Sequence, residues 1–267
     1  MYLAKFLTKR GILVTGEDHL GHGKSVSEGG SFGYFCEQDP ATVVVRDVHR
    51  LKKITEEQYP QVPYIILGHS MRSFIVRNYL CRYGSGIGGA VIVGTGMQPA
   101  GLIFASKAMA GIQKLFCGSK HVSHFIDKAA FGGYNKRIDS PRTSSDWLSR
   151  NTENVDRYIE DELCGFTFTV NGFQTLFELI RRLQKQENLE KVPQNLPILM
   201  VSGAEDPVGD YGKGVHKACD SLKRAGVKNI TVKLYENDRH ELLNEDDAEV
   251  AMEDIWQWIC KEIPGIA

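Results

Sequence analysis

Short runs of apolar residues alternate along the chain with longer stretches in which apolar residues recur every three or four positions. The first pattern is typical of buried strands, and the second is typical of helices packed on a sheet. The pattern predicts strands at Ile12–Thr15, Tyr64–Leu67, Ala90–Val93, Pro197–Val201 and Ile230–Leu234. It predicts helices at Tyr2–Lys9, Asp39–Tyr59, Met71–Tyr83, Val215–Ala225 and Asp247–Glu262. This alternation indicates an α/β fold with a mostly parallel sheet flanked by helices.

A long helical block interrupts this alternation. Residues 98–186 carry helical spacing of their apolar positions, with loops rich in Gly, Ser and Asn around residues 132–145. We expect this block to be a helical cap inserted above the sheet. The predicted organisation is a core of residues 1–97 and 191–267, with a cap or lid of residues 98–190.

The composition narrows the class of protein without defining its chemistry. Hydrophobic residues make up 42% and charged residues 24%, as in ordinary globular proteins. A net charge of -1 provides no overall attraction to nucleic acid or to an anionic membrane. No apolar stretch is long enough for a transmembrane segment or a signal peptide, which favours a cytoplasmic protein. The six cysteines form no C-x-x-C pair, so they indicate neither a metal site nor a redox motif.

One segment joins a predicted strand directly to a predicted helix through a serine. An apolar strand runs into Gly68-His69-Ser70 and then immediately into the helix that begins at Met71. Such a sharp turn pushes the serine out of the sheet, and glycine avoids a clash in the strained backbone. The helix N-terminus stabilises negative charge, and the Met71 amide is placed to donate to an oxyanion. Ser70 is therefore the candidate nucleophile.

A serine nucleophile needs a base, and the base needs an acid that orients it. Asp206 and His240 each follow a predicted strand, in the chain order serine, aspartate, histidine. Both therefore lie at carboxyl ends of strands, the edge where open α/β sheets carry their sites. Glu205 and Asp238 are rivals to Asp206, although Asp238 is too near His240 in sequence to approach it from the far side. The predicted catalytic triad is Ser70, Asp206 and His240, and it requires no metal or organic cofactor.

Four motifs together resemble the monoacylglycerol lipase and lysophospholipase branch of the α/β hydrolases. They are Asp18-His19-x-Gly21-His22-Gly23-x-Ser25, Gly68-His69-Ser70-Met71, Gly203-x-x-Asp206-Pro207-Val208-Gly209 and Arg239-His240-Glu241-x-x-Asn244-Glu245. The cap segments Trp147-Leu148-Ser149-Arg150 and Asp161-x-x-Cys164-Gly165-Phe166 look similar to those of bacterial members. The resemblance runs from about residue 2 to the end of the chain.

This resemblance implies a serine hydrolase that cleaves carboxylic esters, such as monoacylglycerols, lysophospholipids or short acyl esters. It implies that residues 18–25 form a structural loop beside the site and that residues 98–190 cover an acyl pocket. The substrate-binding residues would be His69, Phe104, Met109, Phe116 and Val208. Ordinary helix packing explains the apolar cap residues equally well.

The chain departs from the pattern of that branch in two places. Family members begin with three more strands and a His-Gly loop that supplies the second oxyanion donor, whereas this chain starts at the following helix. Arg72 stands where glycine is usual, two residues after the nucleophile. We expect a rebuilt sheet, either by direct pairing of Ile12–Thr15 with Tyr64–Leu67 or by a strand from a second subunit. The second option predicts a homodimer through the truncated sheet edge.

Two alternatives remain open at the level of sequence. The missing segment and Arg72 are compatible with a degenerate hydrolase that is weakly active, or that is inactive and serves as a binding protein. A peptidase or thioesterase on the same fold is the other alternative, because the cap sets the choice among acyl substrates. The sequence does not separate these activities.

Overall fold

The computed structural model describes residues 2–266, and a parallel sheet of four strands lies at its centre. The strands are β1 (Ile65–His69), β2 (Gly89–Val93), β3 (Ile198–Gly203) and β4 (Ile230–Tyr235). Their spatial order is β1-β2-β3-β4, and every neighbouring pair is parallel. Four of the five predicted strands are therefore present, and the predicted α/β fold is confirmed.

The predicted helices of the core are also present, each with ends within two residues of the expected positions. The described helices are α1 (Tyr2–Thr8), α2 (Pro40–Gln58), α3 (Met71–Tyr83), α4 (Ala100–Cys117), α5 (His124–Phe131), α6 (Thr152–Glu160), α7 (Val170–Arg182), α8 (Gln186–Leu189), α9 (Lys213–Arg224) and α10 (Ala248–Glu262). Within residues 2–266, none of them combines the length and the apolar character needed to cross a bilayer.

Helices cover both faces of the sheet, as the continuous apolar strands require. Ala90 and Ile92 of β2 belong to a core cluster with residues of α2, α3, α7 and α9. Val91 and Val93, which point to the opposite face, belong to a second cluster with residues of α1 and α10. All four side chains are completely buried. The sheet is thus sandwiched between two apolar layers.

Helices α4 to α8 lie in sequence between β2 and β3, where the helical block was predicted. Helix α4 packs along α7, and α7 packs in turn on α2 and α3. A small apolar cluster of Ala110, Ile126, Phe173 and Phe177 joins α4, α5 and α7. The inserted helices therefore have their own apolar centre and a direct contact with the helix that follows Ser70.

The prediction of a strand at residues 12–15 is wrong. The Ile12 amide donates to the Leu7 carbonyl at 3.2 Å, which ties the segment to the end of α1. Direct pairing of this segment with β1 is therefore also wrong, and among the described residues β1 pairs with β2 alone. Leu13, Val14 and Leu67 remain exposed at 49%, 39% and 37%. A strand needs a partner for its backbone groups, so β-propensity alone does not produce one.

Candidate active site

Ser70 occupies the sharp turn between β1 and α3. Its backbone has φ 56° and ψ −125°, a combination that non-glycine residues rarely adopt. The Ser70 amide donates to the Val93 carbonyl at 3.1 Å, and the Ser70 carbonyl accepts from the Ser73 amide at 2.8 Å. Gly68 is required here because a Cβ would lie 2.5 Å from the Arg72 carbonyl oxygen. The strained strand-to-helix turn expected from the sequence is therefore present around Ser70.

The first two residues of α3 follow this turn directly: Met71 contributes its backbone amide, and Arg72 contributes a side chain where the family usually has glycine. Met71 begins the helix, so its amide is one of the N–H groups that lack a partner within the helix. This position suits the role of oxyanion donor, which stays a prediction. Arg72 is exposed. Burial lowers the pKa of His22, and the nearby charge of Arg72 lowers it further, so the Arg72 side chain lies on the side of residues 18–22.

Asp206 and His240 form a buried hydrogen-bonded pair. His240 Nδ1 lies 2.9 Å from Asp206 Oδ2, and both side chains are almost completely excluded from solvent. Asp206 Oδ1 also accepts from the Val208 amide at 2.8 Å. Burial alone would raise the pKa of Asp206, but the interactions with His240 and with the Val208 amide lower it overall. An ionised Asp206 holds the proton of His240 on Nδ1 and leaves Nε2 as the basic nitrogen.

The two rival acids lie elsewhere. Glu205 is exposed, and its amide donates to the Asp238 carbonyl at 2.9 Å. Asp238 is buried beside Asp247 and Glu245. Its burial and these acidic neighbours raise the pKa of Asp238 to about 7. Of the three candidates, the structure brings Asp206 to the His240 ring.

His240 Nε2 is buried and makes no hydrogen bond with any residue that the structure describes. This nitrogen is the one that would accept the proton of a serine nucleophile. The Ser70 hydroxyl therefore does not donate to it in this structure. Catalytic hydrogen bonds are often long without substrate and shorten when substrate binds. Asp206 and His240 are thus hydrogen-bonded to each other, whereas a hydrogen bond between Ser70 and His240 is not formed.

His69, which was predicted to contact substrate, packs against His240. Its Nε2 donates to the His240 carbonyl oxygen at 2.9 Å, and the two ring centroids are 4.7 Å apart. Burial and the neighbouring His240 lower the pKa of His69 to about 4, so its ring is neutral at physiological pH. The structure thus gives His69 a contact that supports the main chain of His240.

Trp147 is a site residue to which sequence reasoning gave no role. Its ring centroid lies 5.1 Å from that of His240, and it packs edge-on against Tyr134 at 4.8 Å. The sequence did single out residues 147–150, but only because they look similar to a cap segment of bacterial family members. Trp147 lies beside His240 because distant parts of the chain come into contact, and spacing along the sequence does not reveal such a contact.

The other predicted substrate residues lie in two different places. Phe104, Met109 and Phe116 are on α4, where Phe104 and Phe116 are 77% and 84% exposed. Met109 and Phe116 line an open apolar groove of about 560 Å³ together with Phe125. Val208, by contrast, is buried in the loop that carries Asp206. The structure therefore places the two phenylalanines on the outer surface of α4 and Val208 beside Asp206.

The loop of residues 18–25 is closed by its own hydrogen bonds. The Asp18 carboxylate accepts from the Lys24 amide at 2.9 Å, and the Ser25 hydroxyl donates to the Asp18 carbonyl at 2.5 Å. A Cβ at Gly23 would lie 2.5 Å from an Asp18 carboxylate oxygen, which explains the glycine. These contacts fit a structural loop. Across residues 2–266, no group of three or more His, Cys, Asp or Glu side chains is arranged to hold a metal ion.

Comparisons with known proteins agree on the fold. The family described as "Serine aminopeptidase, S33" matches residues 1–247. The monoglyceride lipase of Rattus norvegicus is 28% identical over 91% of this chain and 71% of its own length. The monoacylglycerol lipase of Mycolicibacterium smegmatis is 26% identical over 98% of this chain and 83% of its own length.

Two solved structures extend the comparison. The thermostable carboxyl esterase of Bacillus coagulans superimposes with a TM-score of 0.91 at 28% identity, over 100% of this chain and 85% of that one. The monoacylglycerol lipase of Paleococcus ferrophilus superimposes with a TM-score of 0.71 at 21% identity, over 98% of this chain and 88% of that one, and supports the fold alone. With the family match over nearly the whole chain, these likenesses show that the chain has the α/β-hydrolase fold and belongs to the serine aminopeptidase S33 family.

Proposed function

We propose that this protein hydrolyses carboxylic esters through an acyl-enzyme on Ser70, with His240 as base and Asp206 as its orienting acid. The observation that carries the proposal is the buried 2.9 Å hydrogen bond between Asp206 and His240, on the same sheet edge as the strained turn at Ser70. The similarity to monoglyceride lipases and to a carboxyl esterase supports an ester as substrate. It does not favour the alternative of a degenerate hydrolase or of a peptidase or thioesterase.

The reaction follows from the roles of these groups. The Ser70 oxygen attacks the ester carbonyl while His240 Nε2 takes its proton, and Asp206 stabilises the imidazolium that forms. The Met71 amide donates to the oxyanion. His240 then passes the proton to the leaving alcohol, and a water molecule, activated by the same base, releases the acid. Among the described residues Nε2 has no hydrogen-bond partner, so it is available to accept this proton.

The substrates are monoacylglycerols, lysophospholipids or short acyl esters, and residues 98–190 act as the cap that selects among them. This assignment is supported by the position of α4 to α8 between β2 and β3, and by the contact of Trp147 with His240. Rates on p-nitrophenyl esters of increasing chain length test it. A cap that covers an acyl pocket gives a clear optimum in chain length, whereas equal rates for all chains would contradict this role.

The assignment of Ser70 is tested with purified Ser70→Ala and p-nitrophenyl butyrate. We expect the rate to fall by about 10⁶-fold, because the remaining groups cannot replace the nucleophile. The exposed Ser85 provides a matched control, and Ser85→Ala should retain full activity. A fluorophosphonate probe should label the wild type and Ser85→Ala but not Ser70→Ala. Undiminished hydrolysis by Ser70→Ala would reject the assignment.

The open edge of β1 is proposed as the contact of a homodimer. Among the described residues β1 pairs on one side only, and Leu67 within this strand is 37% exposed. A two-fold axis makes the same strand of two copies antiparallel, so two β1 edges would satisfy each other in one continuous sheet. An unpaired, uncharged edge strand of this kind is otherwise prone to aggregation.

Light scattering after size-exclusion chromatography tests this contact. The wild type should elute as a dimer, and Leu67→Lys should shift it to the monomer because a charge would be buried at the pairing edge. The control is Ile54→Lys, at an exposed position of α2, and it should leave the dimer intact. A wild type that is strictly monomeric would exclude this proposal without affecting the assignment of Ser70.

The cytoplasm is proposed as the location of the protein. All six cysteines are free thiols in the structure, and thiols persist in reducing compartments, where disulfides are rare. Cell fractionation that recovers the protein in the cytoplasmic fraction would support this location, and recovery from the medium would contradict it.

A further inference from the structure

The main chain on both sides of His240 is held by hydrogen bonds that lie away from the sheet. The Arg239 amide donates to Glu245 Oε1 at 2.9 Å. The Glu241 amide donates to the Leu148 carbonyl at 2.6 Å. Leu148 belongs to the inserted helical block, so one of the two amides that flank the base is bonded directly to that block.

Glu245 connects the other flanking amide to the same block. Its carboxylate, only 6% exposed, accepts from the Ser149 hydroxyl at 2.9 Å and from the Arg150 amide at 3.0 Å. Together with the Arg239 amide, these donors surround a buried negative charge, and hydrogen bonds to an ionised group are the strong ones. A single carboxylate thus joins residues 149–150 to the residue that precedes His240.

Two further side chains strengthen this junction. The Arg239 guanidinium donates to the carbonyl oxygens of Asp146 and Ser149 at 2.8 and 3.1 Å. The Glu241 carboxylate accepts from the Asn154 amide group at 2.7 Å. Every residue adjacent to His240 is therefore bonded to residues 146–154, and Trp147 of this segment also lies against the His240 ring.

We propose that Glu245 is a positioning residue for the base: it makes the location of His240 depend on residues 146–154 of the inserted block. The inference rests on the proposed function, because it takes His240 as the base that must reach Ser70. Glu245 touches neither substrate nor reacting atoms in this role. It acts through the Arg239 amide, and its loss would leave His240 attached to Asp206 but free to tilt away from the nucleophile.

The variant Glu245→Gln tests this role because it keeps the shape of the side chain while it removes the charge and places an NH₂ group among N–H and O–H donors. Misplacement of a catalytic group by about 1 Å costs about 10²-fold in rate. We expect kcat for p-nitrophenyl butyrate to fall about 10- to 100-fold, with KM within about twofold of wild type. The rate of fluorophosphonate labelling should fall in parallel, because labelling also needs the base.

The matched control is Glu236→Gln, which changes an exposed glutamate on the same connection between β4 and His240. It should leave kcat, KM and the labelling rate unchanged. A loss of the same size in Glu236→Gln would mean that charge near the base, rather than the contacts of Glu245, sets the rate, and it would overturn the proposal.

A readout that is independent of turnover is the far-downfield proton resonance of the Nδ1–H group that His240 donates to Asp206. It should be visible in the wild type and in Glu236→Gln, and shifted or broadened in folded Glu245→Gln. An unchanged resonance with an unchanged kcat would overturn the proposal, as would a change in KM alone. If the wild type neither hydrolyses esters nor reacts with the probe, the proposed function fails, yet this resonance still tests the positioning role.

Ser149→Ala covers the case in which Glu245→Gln does not fold. It removes one donor to the carboxylate and leaves the Arg150 and Arg239 amides in place, so we expect a smaller fall in kcat of about 3- to 10-fold at constant KM. If Glu245→Gln folds, adding Ser149→Ala to it should have little further effect, because both changes break the same contact. Full activity of Ser149→Ala, or fully additive effects, would contradict the proposal.

Discussion

Ser70 owes its place at the end of β1 to the absence of a side chain two residues earlier. A Cβ at Gly68 would lie 2.5 Å from the Arg72 carbonyl oxygen and 2.7 Å from Val76 Cγ2, and the backbone of α3 cannot move away without opening the turn. Any methyl group there must therefore shift Ser70. The lack of a single Cβ atom at position 68 therefore determines the position of Ser70, the proposed nucleophile.

Gly68→Ala should lower both stability and activity. Overpacking of this kind costs about 1–3 kcal/mol, so we expect a lower Tm, together with a fall of about 100-fold in esterase kcat from the displaced Ser70. Thermal unfolding and p-nitrophenyl butyrate hydrolysis measure the two effects. Gly111→Ala is the matched control: a Cβ there meets no atom within 4 Å, and alanine favours the middle of α4. Equal Tm values for the two variants would contradict the expected clash.

Asp238 should make stability depend on pH near neutrality. Burial, with the charges of Asp247 and Glu245 and against an opposing effect of Arg150, raises the pKa of Asp238 to about 7, compared with about 3.9 in an unfolded chain. The folded state therefore binds this proton more tightly. The resulting stabilisation is complete below about pH 4 and is lost as the pH rises through about 7.

Asp238→Asn removes this titration and keeps a neutral side chain beside Asp247. The variant should match the wild type near pH 4 and unfold at a higher temperature than the wild type at pH 8. Thermal unfolding from pH 4 to pH 8 measures the difference. Asp220→Asn, at an exposed position of α9, should follow the wild type at every pH. A wild-type Tm as high as that of Asp238→Asn at pH 8 would show that Asp238 ionises without cost.

The sequence predicted the contact of Asp206 with His240, but it could not predict the residues that hold the main chain around His240. Asp206 and His240 follow strands of a parallel sheet, and strand ends meet at one edge, so their contact follows from the topology. Glu245 meets Ser149 across 96 positions of the sequence, and no periodicity links the two. Such contacts depend on the path of the inserted block, which local patterns do not determine.

Helix α4 shows an unusual distribution of apolar residues. Its buried face is narrow and carries Ile103 and Ala110, whereas Leu115 and Phe116 are both 84% exposed. A helix packed on a core normally places apolar residues inward. The periodicity predicted a helix here correctly, but it could not predict which apolar side would face the protein.

Leu115→Gln and Phe116→Gln should therefore cost little stability. Surface changes stay within about 0.5 kcal/mol, so we expect Tm shifts of about 1–2 °C and weaker binding of a hydrophobic dye. Ile103→Gln on the same helix is the matched control, and it should lower Tm strongly because Ile103 is buried. If Leu115→Gln destabilised the protein as much as Ile103→Gln does, the outer face of α4 would have to be packed in solution.

At the scale of the whole molecule, the order of strands and helices along the chain could be predicted from the sequence. The number of strands at the β1 edge of the sheet could not. The apolar runs around Ile92 and Met200 are buried on both faces, and such runs favour the strands of a parallel sheet that helices cover on both sides. The run at residues 12–15 is as apolar, yet it lies beside α1 and forms no strand. A strand at residues 12–15 would need a neighbouring strand to pair with, and the local sequence does not show whether such a strand is present.

The solvent exposure of the six cysteine thiols can be compared with their chemical reactivity, and this comparison tests the overall fold. Cys117 is exposed, whereas the other five cysteines are half-buried or buried. Titration of the native protein with a thiol reagent should show one fast-reacting group, and titration in guanidinium chloride should show six. Cys117→Ser should abolish the fast phase alone. Several fast thiols in the native wild type would contradict the full or partial burial of the other five cysteines.

The bonds between residues 146–154 and the neighbours of His240 have a consequence for protein engineering. Exchange of residues 98–190 for the corresponding block of a relative is an obvious route to a new ester preference. Here such a chimera would also replace the carbonyl of Leu148, which binds the Glu241 amide, and the donors of Ser149 and Arg150, which bind Glu245. A grafted block would therefore have to reproduce these contacts, or be joined outside them, for the chimera to keep its rate while its selectivity changes.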